Sequence, residues 1–222
     1  MPGSRDVPVF PLPDVVFFPG TVLPLHVFES RYREMVKDAL AGDRSMAVAL
    51  LRPGWEREYA GTPAFHEVAT VGRMEAIERT RDGRYLFRLV GGSRVRLGEP
   101  VQETPYRIVR AVEIPERPID AADPAVRRAK LDLLASQVCL ARELSGGERS
   151  GLVLDDSLSF EAAVNGVCAI LPIDHAVRQS LLELDDLVER HRRAAAILDE
   201  ILERVLHLKS MRGRDEGPSG VN

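Results

Sequence analysis

Few residues in this chain are able to do covalent or metal chemistry, and their spacing argues against most of it. The 222 residues include three lysines, Lys37, Lys130 and Lys209, and none follows a glycine. A phosphate-binding loop needs consecutive backbone N–H groups closing on Gly-Lys-Ser or Gly-Lys-Thr, so ATP hydrolysis by that motif is excluded. The richest glycine stretch, Ser145-Gly146-Gly147-Glu148-Arg149-Ser150-Gly151, lacks the lysine and follows an expected helix rather than a strand. It reads as an interhelical linker. A serine–lysine peptidase pair needs a desolvated lysine, whereas all three lysines fall on polar helical faces and are expected to be solvated. His26, His66, His175, His191 and His207 show no His-x-x-x-His spacing, and His66-Glu67 lacks a second histidine three residues on. No zinc site is expected. His191 lies on an apolar helical face, the place of a hydrogen-bonded core histidine. Asp155, Asp156, Asp185 and Asp186 precede expected helices, where capping and helix-dipole interactions account for them. Cys139 and Cys168 sit in apolar helical patterns as small hydrophobes. The reading is therefore a non-enzymatic chain with no catalytic residue, metal or cofactor.

Composition narrows the partners. At 45% hydrophobic and 29% charged, the chain reads as an ordinary soluble protein. Its net charge of −4 gives no pull toward phosphate backbones or acidic membranes. An arginine-rich strip, Arg73, Arg79, Arg81, Arg84, Arg88, Arg94 and Arg96, is interleaved with acidic residues and reads as a solvated face, so nucleic acid is not an expected partner. No run approaches the roughly 20 apolar residues that span a bilayer, and no secretory leader pattern opens the chain. The expected location is the reducing cytoplasm.

What remains is apolar surface on stiff backbone. Pro11, Pro13, Pro19 and Pro24 punctuate the run from Phe10 to Val27, so Val15 to Phe18 belongs to a loop or edge rather than a central strand. Side chains on such a backbone are displayed at low entropic cost. Val15, Phe17, Phe18, Val22 and Leu23 are the expected contacts for an apolar peptide, with Phe17 and Phe18 able to face outward. Ser30 is the expected cap of a helix from Arg31 to Gly42, and Glu29, Arg31 and Tyr32 are expected to hold the loop in place as scaffold.

The elements that must position these residues divide at Pro115-Glu116-Arg117-Pro118. Before it, period-two patterns predict strands at Met46–Leu51, Glu67–Ile77, Tyr85–Leu89, Arg94–Leu97 and Tyr106–Ile114, with a primed two-residue hairpin turn at Asp82-Gly83. After it, a 3.6-residue period predicts helices starting at Asp123-Pro124, Ser159, Asp174 and Asp186. The expected domains are a β-barrel over 1–118, a helical bundle over 119–208 and a mobile tail over 209–222.

The N-terminal pattern resembles the substrate-binding domain of Lon-family ATP-dependent proteases. The likeness rests on Pro8-Val9-Phe10-Pro11-Leu12, Val16, Phe18-Pro19-Gly20, Pro24-Leu25, Val27-Phe28-Glu29 and Arg31-Tyr32. It continues at Val71-Gly72, Asp82-Gly83-Arg84-Tyr85, Pro105-Tyr106 and Leu171-Pro172-Ile173-Asp174. The resemblance implies an α+β fold: a small N-terminal PUA-like β-barrel with one early helix, then a C-terminal α-helical bundle. It also implies a stand-alone module, without ATPase or peptidase domains, that binds hydrophobic or unfolded peptide segments between barrel and bundle as an adaptor or regulator of a separate protease. Two alternatives stay open: a small-ligand protein or enzyme using that cleft through His26, Glu29 and Arg31, and an RNA-binding PUA-like module.

Overall fold

Alternating apolar residues fold the first half of the chain into strands β1 (Ser4–Leu12), β2 (Val22–Val27), β3 (Ser45–Leu50), β4 (Val68–Arg79), β5 (Tyr85–Gln102) and β6 (Ile108–Glu113), with helix α1 (Ser30–Ala41) between β2 and β3. Helices α2 (Pro124–Leu144), α3 (Phe160–Ile170), α4 (His175–Leu182) and α5 (Leu187–Asp215) follow. The computed structural model describes residues 3–58, 61–145 and 157–215, with side chains to 211. The glycine stretch after Ser145, together with Asp155 and Asp156, lies outside the described residues.

The sheet order is β2-β5-β4-β3-β1-β6, and β6 also pairs with β5. Five strands thus form a ring, with β2 attached to the outer end of β5. The pairing is antiparallel except for β1 with β3, where Val9 faces Ala47. The length of β5 makes this possible: Tyr85 to Val90 faces β2, and Val95 to Gln102 faces β6. Each ring strand contributes two aliphatic side chains to one cluster, all Ala or Val except Leu97: Val7 and Val9, Ala47 and Ala49, Ala69 and Val71, Val95 and Leu97, Val109 and Ala111. A five-stranded ring is narrow, and Ala and Val are the residues that fill it at native density. The opposite faces of the strands send Phe10, Met46, Val48, Met74, Phe87 and Leu89 into a second cluster, which Tyr32, Met35, Val36 and Ala39 of α1 share.

Local signals hold at several ends and slip at others. Asp123 and Asp174 cap α2 and α4, accepting from the N–H groups of Ala125 and Ala176 at 2.8 and 2.7 Å. Helix α1 starts one residue earlier than expected, with Glu29 in the cap position and no side-chain cap. The β4–β5 connection is a three-residue loop: Thr80 and Arg84 pair across it, Gly83 N–H donates to Thr80, and among its residues Gly83 has positive φ. A type I turn closed by a left-handed glycine replaces the primed two-residue turn.

The chain groups into two compact units, Met1–Arg117 with Cys168–Asp186, and Pro118–Val167 with Leu187–Asn222. The first break falls between Arg117 and Pro118. The return of 168–186 to the strands differs from a helical unit continuous over 119–208. Arg94 is the reason: its side chain is fully buried, donates Nη1 to the carbonyls of Leu182 and Leu184 at 2.9 Å each, and donates Nε to Glu116 at 2.6 Å. Gln179 adds a bond to the Val68 carbonyl at 2.9 Å. Arg94 is thus an internal anchor and not part of a solvated strip.

In the second unit, Leu133, Leu140, Ala163, Val164, Ala194 and Leu198 are buried. His191, half-buried beside the Phe160 ring, donates Nε2 to the Ala129 carbonyl at 3.1 Å. Lys130 is buried and donates to the Leu158 carbonyl at 3.1 Å, which corrects its assignment to a solvated face. Cys168 is buried, whereas Cys139 is exposed. Helix α5 continues to Asp215, so 209–215 is helical rather than a structureless tail, and 216–222 lies outside the described residues.

Candidate functional site

The proline-bounded loop lies over two glycines on the strands beneath it. A Cβ on Gly91 would meet the Phe18 carbonyl oxygen at 2.4 Å, and one on Gly72 would meet Phe17 Cε1 at 2.8 Å. These bare backbones let the loop press into the barrel wall. Gly91 then bonds it at both ends of its peptide, donating to Thr21 at 2.8 Å and accepting from Gly20 at 3.0 Å. Thr70 Oγ1 donates to the Phe17 carbonyl at 2.6 Å. Phe17 and Phe18 are consequently core residues, 3% and 0% exposed, and their expected outward display is not realised. Val16 is buried with them, while Val15 and Leu23 are half-buried against the second cluster.

The exposed apolar surface lies one step further along. On β2, Leu23, Leu25 and Val27 turn inward, while Val22, Pro24 and His26 turn out. Val22 is 53% exposed, Phe28 just past the strand is 58% exposed, and the His26 ring meets the Phe28 ring edge-on at 6.0 Å. Leu86, opposite His26 on β5, is also exposed. Among the described strands β2 pairs with β5 alone. Counting by twos from the Gly91-to-Thr21 bond, the backbone groups of Leu23, Leu25 and Val27 face β5, and those of Val22, Pro24 and His26 face the open edge. Pro24 has no N–H to lose there, which is why a proline fits this strand. Val22 is among the residues expected from the sequence, whereas Phe28 and Leu86, exposed beside it, were not named there.

Glu29, Arg31 and Tyr32 cluster at the start of α1. Arg31 donates Nε to Glu29 at 3.1 Å, and its guanidinium lies 4.6 Å from the centre of the Tyr32 ring. Tyr32 is buried edge-on against Phe10 at 4.8 Å. Arg31 and Tyr32 also line a pocket of about 160 Å³ with Pro11, Pro63, Glu103, Pro105, Tyr106 and Arg107. His26 and Glu29 are not in its lining, so the three polar groups of the small-ligand alternative do not converge there. No cluster of His, Cys, Asp and Glu suited to a metal occurs among the described residues. Among those residues no helix is long and apolar enough to cross a membrane.

Tyr106, beneath this pocket, donates its phenol to Asp38 Oδ2 at 2.7 Å. Burial, followed by the Asp38 carboxylate, pushes it up to about 12. An unfolded tyrosine titrates near 10, so the folded protonated form contributes its full stability below that pH and loses it as pH rises from 10 through 12. The gap in unfolding free energy between wild type and Tyr106→Phe should therefore shrink by about 2 kcal/mol from pH 8 to pH 11.5 in urea titrations. A constant gap would show that the phenol is not held in this way.

Comparison with known proteins agrees with the fold. The family described as the ATP-dependent protease La (LON) substrate-binding domain matches residues 6–200. Lon protease 2 of Herpetosiphon aurantiacus is 28% identical over 213 residues, covering 93% of this chain and 26% of its own length. Lon protease 2 of Sorangium cellulosum is 26% identical over 216 residues, again covering 26% of its length. The chain thus spans about a quarter of these curated relatives. Among solved structures, the N-terminal domain of Mycobacterium avium complex Lon protease aligns with a TM-score of 0.65 at 16% identity, covering 88% of this chain and 98% of that one. A Lon N-terminal domain protein from Xanthomonas campestris aligns at 0.61 and 26% identity, covering 86% of this chain and 98% of that one. With the family matched over most of its length and the fold shared, the chain belongs to the LON substrate-binding domain family.

Proposed function

We propose that this protein captures extended apolar peptide segments along the open edge of β2, holding them without cutting or translocating them. One observation carries the reading: β2 is a sheet edge whose outward side chains include the exposed Val22, with Phe28 at its end. An added strand gains main-chain hydrogen bonds from such an edge, and its alternate side chains gain apolar contacts. Leu23 and Val15 support this edge from beneath, and Phe17 and Phe18 lock the preceding loop. Similarity to the N-terminal parts of Lon proteases supports a role in proteolysis, in which the captured segment is presented to a protease as an adaptor or regulator would do. Three of the seven arginines named for RNA binding are engaged within the protein, Arg94 by burial and Arg84 and Arg96 by pairing with Asp82 and Glu67, which weakens that alternative.

The test is a fluorescence anisotropy titration with a labelled, extended, valine- and leucine-rich peptide. Wild type should saturate, and Val22→Glu combined with Phe28→Ser should weaken binding at least tenfold with an unchanged circular dichroism spectrum. Both positions are exposed, so the fold should tolerate them. Equal affinity in the double variant would remove β2 from the site.

A further inference from the structure

We propose that the pocket at the start of α1 receives the C-terminal carboxylate of the captured peptide, with Arg107 as the principal contact. This rests on the peptide-binding reading above and adds to it a preference for a chain end. Arg107 is half-buried, its guanidinium stacked 4.1 Å from the centre of the Phe65 ring, and its Nη2 donates to the Pro63 carbonyl at 2.7 Å. These contacts fix the plane of the fork and leave its other donors without a protein acceptor among the described residues. Burial, the largest cause, lowers the pKa of Arg107 and the charge of Arg31 adds to that, while Tyr32 and the Glu103 carboxylate act the other way; two guanidinium groups, that of Arg31 paired with Glu29, share one small, partly dry space. A planar oxyanion relieves that arrangement and matches the fork bidentately.

Size selects which oxyanion. At about 160 Å³ the pocket is well below the roughly 300–1,000 Å³ of sites for cofactors and drug-sized ligands, and close to the roughly 150 Å³ cavity that admits a benzene ring. One residue with its carboxylate fits. Pro63, Pro105 and Tyr32 supply apolar walls for the terminal side chain, and Glu103 lines the same pocket. The route is short, because Arg31 follows Val27, the last residue of β2, by four residues, a reach of at most about 14 Å. A peptide added parallel to β2 runs its C-terminus toward that end.

The experiment compares the labelled apolar peptide as a free acid and as its C-terminal amide, titrated into wild type, Arg107→Gln and Arg107→Lys. The acid should bind wild type at least tenfold more tightly than the amide. Arg107→Gln should erase the difference while leaving amide affinity in place; if it fails to fold, Arg107→Lys, which keeps the charge and loses the fork, should still reduce the ratio. Equal affinity of acid and amide for wild type overturns the inference and leaves the β2 reading standing. Binding of neither peptide overturns both. Displacement of the acid peptide by N-acetyl-leucine at equal concentration also overturns it, since the pocket would then select a free small acid over a chain end.

Discussion

Gly91→Ala should destabilise the protein by about 3 kcal/mol, close to the upper end of what overpacking a well-filled site usually costs. The added methyl would sit 2.4 Å from the Phe18 carbonyl oxygen, 3.2 Å from Pro19 Cα and 3.3 Å from Gly20 N. All three are backbone atoms, so no side chain can swing aside. Relief requires lifting the loop, which breaks the bonds of Gly91 with Gly20 and Thr21 and loosens the packing of Phe17 and Phe18. Urea unfolding reads the stability. Because the loop leads directly into β2, peptide affinity should fall with it. A variant within about 0.5 kcal/mol of wild type would mean that the loop does not seat on Gly91.

The second large effect is expected at Arg94. Arg94→Ala removes the donors of two carbonyls, Leu182 and Leu184, and leaves Glu116 without its buried cation. Breaking a buried, hydrogen-bonded charge pair typically costs about 3–5 kcal/mol, mainly because the surviving partners stay desolvated. The loss should be local as well as global: amide exchange across His175–Leu182 should accelerate before the β4 and β5 amides do, because Arg94 and Gln179 fasten this segment to the strands. Arg94→Met, which keeps volume without charge, should retain more of the packing and still lose the carbonyl bonds. Unchanged exchange in α4 would contradict the anchoring role.

Most of the architecture was legible because its signals are local. Asp123 and Asp174 cap helices through bonds to residues two positions on. The orientation of Phe17 and Phe18 was not local. Proline stiffness describes the loop backbone, but the direction of its side chains depends on the empty faces of Gly72 and Gly91, far along the chain. Arg94 was misread for the same reason, since its partners are carbonyls 88 and 90 residues away and carry no side-chain signature. Lys130 repeats the lesson with the Leu158 carbonyl. At the candidate site, Val22 was visible from the sequence, whereas Arg107 was not: its cation stacks on Phe65, which reaches it through a separate segment of chain.

The most direct measurement of the central claim is amide hydrogen exchange at Val22 and His26 with and without a saturating extended apolar peptide. Both N–H groups face the open edge, so they should exchange readily in the free protein and at least tenfold more slowly in the complex, while Leu23 and Leu25, already bonded toward β5, change little. Saturation by the peptide with unchanged exchange at Val22 and His26 would contradict capture along β2.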